Sequence, residues 1–307
     1  MEKKNRSKKL GAGSGFVRKI RVAGMTFSLC AKEEEVFSYS NYDFSKFTDK
    51  NPKGEKGFVI RLVRKKGMTF PSVHGAAETT FPGRSVFRAN YKKMAYWGEE
   101  NARRYVFTRK GGNCSDFFVK FDPDASSAQV LANQPKPVQN PFDFLPKWKL
   151  EHYLCRRRQG ALIHGSCAVI GGKAFLFVGP SGSGKTTIAR FCLGRGFAVL
   201  NDENVILRKS GDGWRAYGTP WSRTPEMVRN ASAKIERIFF LRFGKRNQIK
   251  QVSRREALRR LPPNILLYGV EGGLFGHMWE LVDELSKQNI FSELIFKRSP
   301  AFLDLLA

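Results

Sequence analysis

Two kinds of apolar patterning divide the chain. From Phe16 to about Val130, short runs rich in aromatic and β-branched residues recur: Val22 to Cys30, Gly57 to Val63, Ser85 to Met94, Arg104 to Thr108, Asp116 to Phe121 and Ala128 to Leu131. Gly, Asn, Asp and Pro separate them, a pattern that predicts strands rather than helices. Phe58 with Arg61 to Lys66 alternates loosely, as a half-exposed strand does. No internal repeat and no catalytic motif stands in this half, which reads as a small β-rich domain over 16–131.

Residues 132–144 hold three prolines and no helical period, so they read as a linker. Leu145 to Gln159 then predicts a helix, with Trp148, Leu150, Tyr153 and Leu154 on one face and Gly160 as its stop. Arg156, Arg157 and Arg158 read as its solvated end, where positive charge suits the helix dipole. From Gly160 onward strand and helix patterns alternate, the signature of an α/β core over 145–307. Ala161 to Ile170 and Lys173 to Val178 form an expected hairpin about Gly171-Gly172. Gly272 to His277 reads as a loop without chemistry.

The strongest motif is GPSGSGKT, Gly179 to Thr186, a full match to G-x-x-x-x-G-K-[ST]. An apolar strand, Ala174 to Val178, precedes it, and Thr187 to Cys192 opens a helix after it. In such a P-loop the backbone of Gly179, Pro180, Ser181, Gly182, Ser183 and Gly184 curls so that its N–H groups, which Pro180 lacks, face phosphate oxygens. Lys185 reaches the outer phosphates, the Thr186 hydroxyl ligates Mg²⁺, and Thr187 opens the helix, whose N-terminus favours anions. Gly11 to Gly15, also glycine-rich, follows no strand and receives no such role.

Phe197 to Glu203 (FAVLNDE) is a strand ending in two carboxylates. Asp202 comes 17 residues after Lys185, enough for one helix and one strand, so it returns beside the nucleotide. There it can hold Mg²⁺ or take a proton from an attacking hydroxyl, with Glu203 as a second metal ligand. Alone, such a pair is an acidic turn; beside a full phosphate loop it is a catalytic candidate. His164 lies in the strand expected next to the loop strand and is a candidate to face the site. His74, His152 and His277 read as packing residues. Trp221 and Arg223, in GTPWSR, are weaker candidates for the substrate side, with packing an equal reading for Trp221.

Charge adds less than its size suggests. Lys and Arg number 54 against 27 Asp and Glu, a formal net charge of +27. Through Asn140 the balance is 27 − 13 = +14, and after it 27 − 14 = +13, so no separate nucleic-acid tail carries the excess. The arm 1–15 is basic and expected to be flexible, more as a solvated tail than a binding element. The Arg254 to Arg260 stretch places Arg255 and Arg259 on one helix face, with Leu258 and Leu261 on the other. Five scattered cysteines form no C-x-x-C pair, which argues against a zinc site or a disulfide framework. No signal peptide or membrane span is evident, so a cytoplasmic chain without a membrane partner is expected.

The run HGSCAVIGGKAFLFVGPSGSGKTTIARFCLGRGFAVLNDENVIL resembles the catalytic core of HPr kinase/phosphorylase. More narrowly, it is similar to the HPr-kinase-like proteins of peptide-modification clusters, and YGTPWS and IFSELIFKRSPAFLDLL resemble that subgroup too. The resemblance implies a fold related to the nucleotide-binding core of phosphoenolpyruvate carboxykinase. It implies that Gly179 to Thr187 bind ATP phosphates and Mg²⁺, that Asp202 deprotonates a substrate serine, and that His164 lies near the transferred phosphate. The family's acidic pair is usually Asp-Asp, whereas the second member here is Glu203. The family's later glycine-rich signature is not found, which sets HPr itself and the reverse phosphorylase reaction apart from the expectation.

The leading expectation is an ATP- and Mg²⁺-dependent kinase acting on a hydroxyl, most simply serine, of a peptide or protein. A P-loop ATPase or switch without an acceptor is the first alternative, although the spacing from Lys185 to Asp202 is short for a motor. A nucleic-acid-associated basic protein is the second, with no recognition signature to support it. Homo-oligomerisation is left open.

Overall fold

The computed structural model describes residues 8–10, 15–49, 57–64, 86–91, 94–99, 104–109, 115–121, 126–132, 140–211, 213–267 and 274–306. Most of the expected arm, His74, most of the expected linker and the first part of the expected loop at 272–277 lie outside the described residues. Contacts divide the chain into two compact units: Met1–Asn41 with Thr48–Trp148, and Tyr42–Phe47 with Lys149–Ala307.

The first unit is built on one sheet. Its strands are β1 (Lys8–Leu10), β2 (Gly15–Val22), β3 (Met25–Ala31), β4 (Phe58–Arg64), β5 (Val86–Tyr91), β6 (Met94–Glu99), β7 (Arg104–Arg109), β8 (Ser115–Phe121) and β9 (Ser127–Ala132). They lie in the order β1-β2-β3-β4-β9-β8-β7-β6-β5. The pairs β3–β4 and β4–β9 are parallel. Ile20, Phe27, Leu29 and Ile60 are fully buried in it.

Helix α1 spans Pro141–Arg156 and begins inside the stretch expected to be linker. The prolines mislead because one of them starts the helix: Pro141 opens it, where a missing N–H is harmless. The Asn140 side chain accepts from Phe142 N at 2.9 Å, satisfying a first-turn donor. Phe142, Phe144 and Leu145 are buried, and that burial outweighs the second proline, Pro146, within the helix. Arg156, Arg157 and Arg158 are exposed, as expected.

The second unit has a mixed sheet flanked by helices. Its elements are β10 (Gly160–Ile170), β11 (Lys173–Val178), α2 (Lys185–Gly194), β12 (Ala198–Asn201), β13 (Asn204–Ser210), β14 (Gly213–Tyr217), β15 (Ser232–Phe243), β16 (Gln248–Gln251), α3 (Arg254–Arg260), α4 (Leu274–Ser286) and β17 (Phe291–Phe296). The order is β11-β10-β13-β14-β15-β17-β16, with β12 on β10 and a further parallel pairing of β11 with β15. β15 and β17 are also parallel.

Alternation along β11 and β15 splits the core. Phe175, Phe177 and Phe239 pack with Ile188, Ala189 and Cys192 of α2 and with Phe302. Ala174, Leu176, Val178, Ile238 and Phe240 pack with Leu261 after α3 and with Met278, Leu281 and Val282 of α4. The amphipathic α3 keeps Arg255 and Arg259 exposed and buries Ala257, with Leu261 buried just past its end.

The hairpin at Gly171-Gly172 is present, with φ of 57° and 78°, and pairs Ile170 with Lys173. Positive φ at both central residues matches strand twist. The loop expected through His277 is corrected: α4 begins at Leu274, because Leu274 and Met278 are buried one turn apart. Among the described residues, no helix is long and apolar enough to cross a membrane.

Candidate functional site

The glycine loop links β11 to α2. Gly182 and Gly184 have φ of 81° and 99°, in the region that favours glycine. A Cβ on Gly182 would meet nothing within 4 Å, while one on Gly184 would lie 2.8 Å from Phe296 Cζ. Gly184 caps α2 and supplies no side-chain hydrogen bond to the helix's first N–H groups. Those donors are oriented for an anion. The Ser166 hydroxyl donates to Lys185 O at 3.1 Å and ties β10 to the start of the helix.

Lys185 is buried, and its ammonium donates to the carbonyls of Gly179 at 2.7 Å and Pro180 at 2.9 Å. Burial pushes its pKa down, and the Glu203 charge opposes that shift. Gly179 and Pro180 thus act on the site by holding Lys185.

β10 delivers His164. Its first half pairs with β13 and its second half with β12, with an irregularity between Cys167 and Ala168. His164 stands opposite Asn204, and the next residue, Gly165, stands opposite Val178 at the end of the loop strand. His164 Nδ1 lies 3.1 Å from Glu203 O. A carbonyl only accepts, so Nδ1 is the donor in this contact.

The carboxylate turn between β12 and β13 is held by a buried polar cluster. Asn201 Oδ1 accepts from Glu203 N and Asn204 N, both at 2.7 Å, closing an Asx turn around Asp202 and Glu203. Asn201 Nδ2 donates to Thr219 O at 2.8 Å, and the Thr219 hydroxyl donates to Asn204 O at 2.6 Å. The Ser222 hydroxyl donates to Asp202 Oδ1 at 2.5 Å and accepts from Thr224 N at 2.9 Å. Thr224 N therefore fixes the serine's proton toward the carboxylate, and Asp202 keeps Oδ2 for other partners.

These elements enclose a cavity of about 490 Å³. That is within the ~300–1,000 Å³ of small-molecule sites. Ser181, Gly182, Gly184, Lys185, Thr186 and Thr187 line one side, and His164, Asp202, Glu203 and Arg223 also face it. Ser183, although in the motif, is not part of the lining. Trp221 is a correction: it is fully buried, so its ring packs rather than meeting substrate. Its carbonyl accepts from Asn204 Nδ2 at 2.6 Å and thereby supports the carboxylate turn.

Ser222, Thr224, Phe243 and Arg298 also line the cavity, and sequence reasoning does not single them out. Ser222 has a signal in its place between two candidates, Trp221 and Arg223. Arg298 lies in the IFSELIFKRSPAFLDLL stretch and Phe243 is an aromatic near the basic Lys245-Arg246 pair, but only strand order brings the two to this cavity.

The donors suit a nucleotide and Mg²⁺. Cβ atoms in place of the loop glycines would strain the cradle at Gly182 and crowd it at Gly184. Thr186, Asp202 and Glu203 offer hard oxygen ligands. Among the described residues no group of three or more His, Cys, Asp or Glu could hold a metal. A cation bound through one or two carboxylates together with substrate phosphates needs no such group.

Residues 149–283 match the family described as SynChlorMet cassette protein ScmC. A protein of Oceanobacillus iheyensis named "Putative HPr kinase/phosphorylase 2" is 37% identical over 68 residues. The chain is similar to a kinase-named protein. That match spans 22% of this chain and 22% of the relative's length, so it speaks for a segment and not for the whole relative.

Proposed function

We propose that this chain is an ATP- and Mg²⁺-dependent phosphotransferase that moves the γ-phosphoryl group to a hydroxyl, most simply a serine, of a peptide or protein. The observation that carries this is one cavity shared by the glycine loop, Lys185 and an Asp202 carboxylate whose other oxygen is already engaged by Ser222. The similarity to a protein named as an HPr kinase/phosphorylase supports the same reading. With it goes the architecture: residues 145–307 as a P-loop kinase core of the HPr kinase and phosphoenolpyruvate carboxykinase type, and 16–131 as a separate β-rich domain.

Thr186, Asp202 and Glu203 would hold Mg²⁺, which when bound neutralises charge on phosphate oxygens. The loop N–H groups and Lys185 grip the phosphates and stabilise charge as the bond to the leaving ADP breaks. Lys185 leaves its carbonyl partners for phosphate oxygens, a favourable exchange for a buried cation. Asp202 Oδ2 takes the acceptor hydroxyl's proton as the new O–P bond forms. His164, which also lines the cavity, orients the acceptor or the phosphate.

The test is transfer of label from γ-labelled ATP, with Mg²⁺, to serine-bearing peptides. Lys185→Ala and Asp202→Asn should each lower transfer by roughly 10²-fold or more. Full activity in Asp202→Asn would remove the base assignment. Phosphate release to water with no labelled acceptor would favour a P-loop ATPase instead.

A further inference from the structure

The cavity contains an aromatic wall that phosphate chemistry does not require. Phe243 and Phe296 are register partners at the ends of the parallel strands β15 and β17. β15 also pairs with β11, placing Phe240 opposite Val178, so Phe243 falls beside the glycine loop. The loop packs on both rings: a Cβ on Gly184 would lie 2.8 Å from Phe296 Cζ and 3.0 Å from Phe243 Cζ. The carboxyl ends of parallel strands are where open sheets take ligands.

Phe296 is fully buried, whereas Phe243 remains 37% exposed. The Arg298 guanidinium lies over the Phe243 ring, 4.6 Å from its centroid. Arg298 is itself exposed and, among the described residues, has no carboxylate partner. The contact with Phe243 holds the guanidinium at the cavity wall, where both side chains line the space.

We propose that Phe243 and Arg298 form the platform for the base of the nucleotide whose phosphates the glycine loop holds. This rests on the nucleotide reading above and deepens it. An anion alone gains nothing from an exposed phenyl ring, and the loop, Lys185 and Arg223 already supply positive groups for phosphate. A purine gains from both members of the stack, since its π-face suits an aromatic ring and a guanidinium plane alike. Stacking contacts of this kind tolerate any base, so the platform predicts binding of purine nucleotides with little discrimination between ATP and GTP.

Calorimetric titration of the full chain with Mg-ATP and with Mg-tripolyphosphate, which has the phosphates and no base, tests it. Arg298→Ala and Phe243→Leu should each weaken ATP roughly ten-fold and leave tripolyphosphate within about two-fold. Arg298→Lys keeps the charge but not the plane and should behave like Arg298→Ala. Thermal melting of each variant checks that it folds, and leucine at 243 keeps apolar packing against Gly184. Unchanged ATP affinity overturns the platform, as does equal weakening of both ligands, which would make Arg298 a phosphate contact. If the wild-type chain binds tripolyphosphate but gains nothing from the base, only the platform fails. If it binds neither ligand, the nucleotide reading fails with it.

Discussion

Each unit contains three neighbouring strands that run parallel: β3, β4 and β9 in the first, β11, β15 and β17 in the second. Parallel pairing alone therefore does not make the candidate site. The two units differ in the element that comes after the strand. β3 gives way to a six-residue 3-10 turn, Glu34–Tyr39, with Glu34 and Glu35 in its first turn. β11 gives way to glycines of positive φ and an α-helix of 10 residues with no acidic residue in its first turn. One start repels anions and is too short to orient several N–H groups; the other gathers them. A second difference is the buried carboxylate turn that Asn201 organises.

The largest expected effect comes from removing that turn's support. Asn201 is fully buried and fills four roles at once, toward Glu203 N, Asn204 N, Thr219 O and the Thr219 hydroxyl. Asn201→Ala strands buried donors and a carbonyl, at about 3 kcal/mol of stability. Denaturant unfolding measures that loss. Transfer activity should fall further than nucleotide binding, because Asp202 loses its position while the glycine loop stays intact. Equal retention of both would show that the turn holds itself.

Next in size is the loop. Gly184→Ala puts a Cβ against two phenyl rings at φ 99°, a change worth roughly 2 kcal/mol of stability. Phosphate-ligand affinity should fall sharply, since the ring contact and the α2 start must shift together. Gly171→Ala is the control. Its φ is also positive, at 57°, but a Cβ there meets nothing within 4 Å. It should lose about 1 kcal/mol of stability and none of the ligand affinity. If both variants bind equally, a strained glycine is not what distinguishes this strand-to-helix connection.

How far the sequence is legible obeys the same local logic. The loop, its flanking strand and helix, and Asp202 occupy one continuous stretch, so spacing alone brings them together. His164 is one hairpin away, and the Gly171-Gly172 turn announces that hairpin. The Phe243 and Arg298 wall depends on β15 and β17 lying beside β11, a sheet order that no local pattern encodes. Trp221 departs from its substrate-side reading for a related reason: a tryptophan beside polar residues reads equally as wall or core until packing decides. The helix start at Pro141 escapes a reading that weighs proline as a breaker, although proline suits a first helical turn. Nothing in the strand pattern of the first unit reveals that β4 pairs with β9 across an intervening meander.

The smallest effect concerns the buried face of α2, the helix by which the second unit differs. Cys192 is fully buried there, and burial pushes its thiol up to about 12. The ordinary thiol value, which the unfolded chain keeps, is 9.0. Below that both states are protonated, and the site adds no pH dependence. Between the two values the unfolded state binds fewer protons, so this group's contribution favours unfolding as pH rises, by at most about 1.4 kcal/mol per unit. Thermal melts of the wild type and Cys192→Ala, compared at matched pH, cancel the titration of other groups. The alanine variant starts less stable from its small cavity, and the gap should narrow by a few tenths of a kcal/mol near about pH 9 and more above it. Cys30 of the first unit also has a raised pKa but is only partly buried, so Cys30→Ala should narrow its gap less over the same range. A gap that stays constant with pH would mean that α2 opens to water well before the unit unfolds. The helix that orients the loop would then be its softest part.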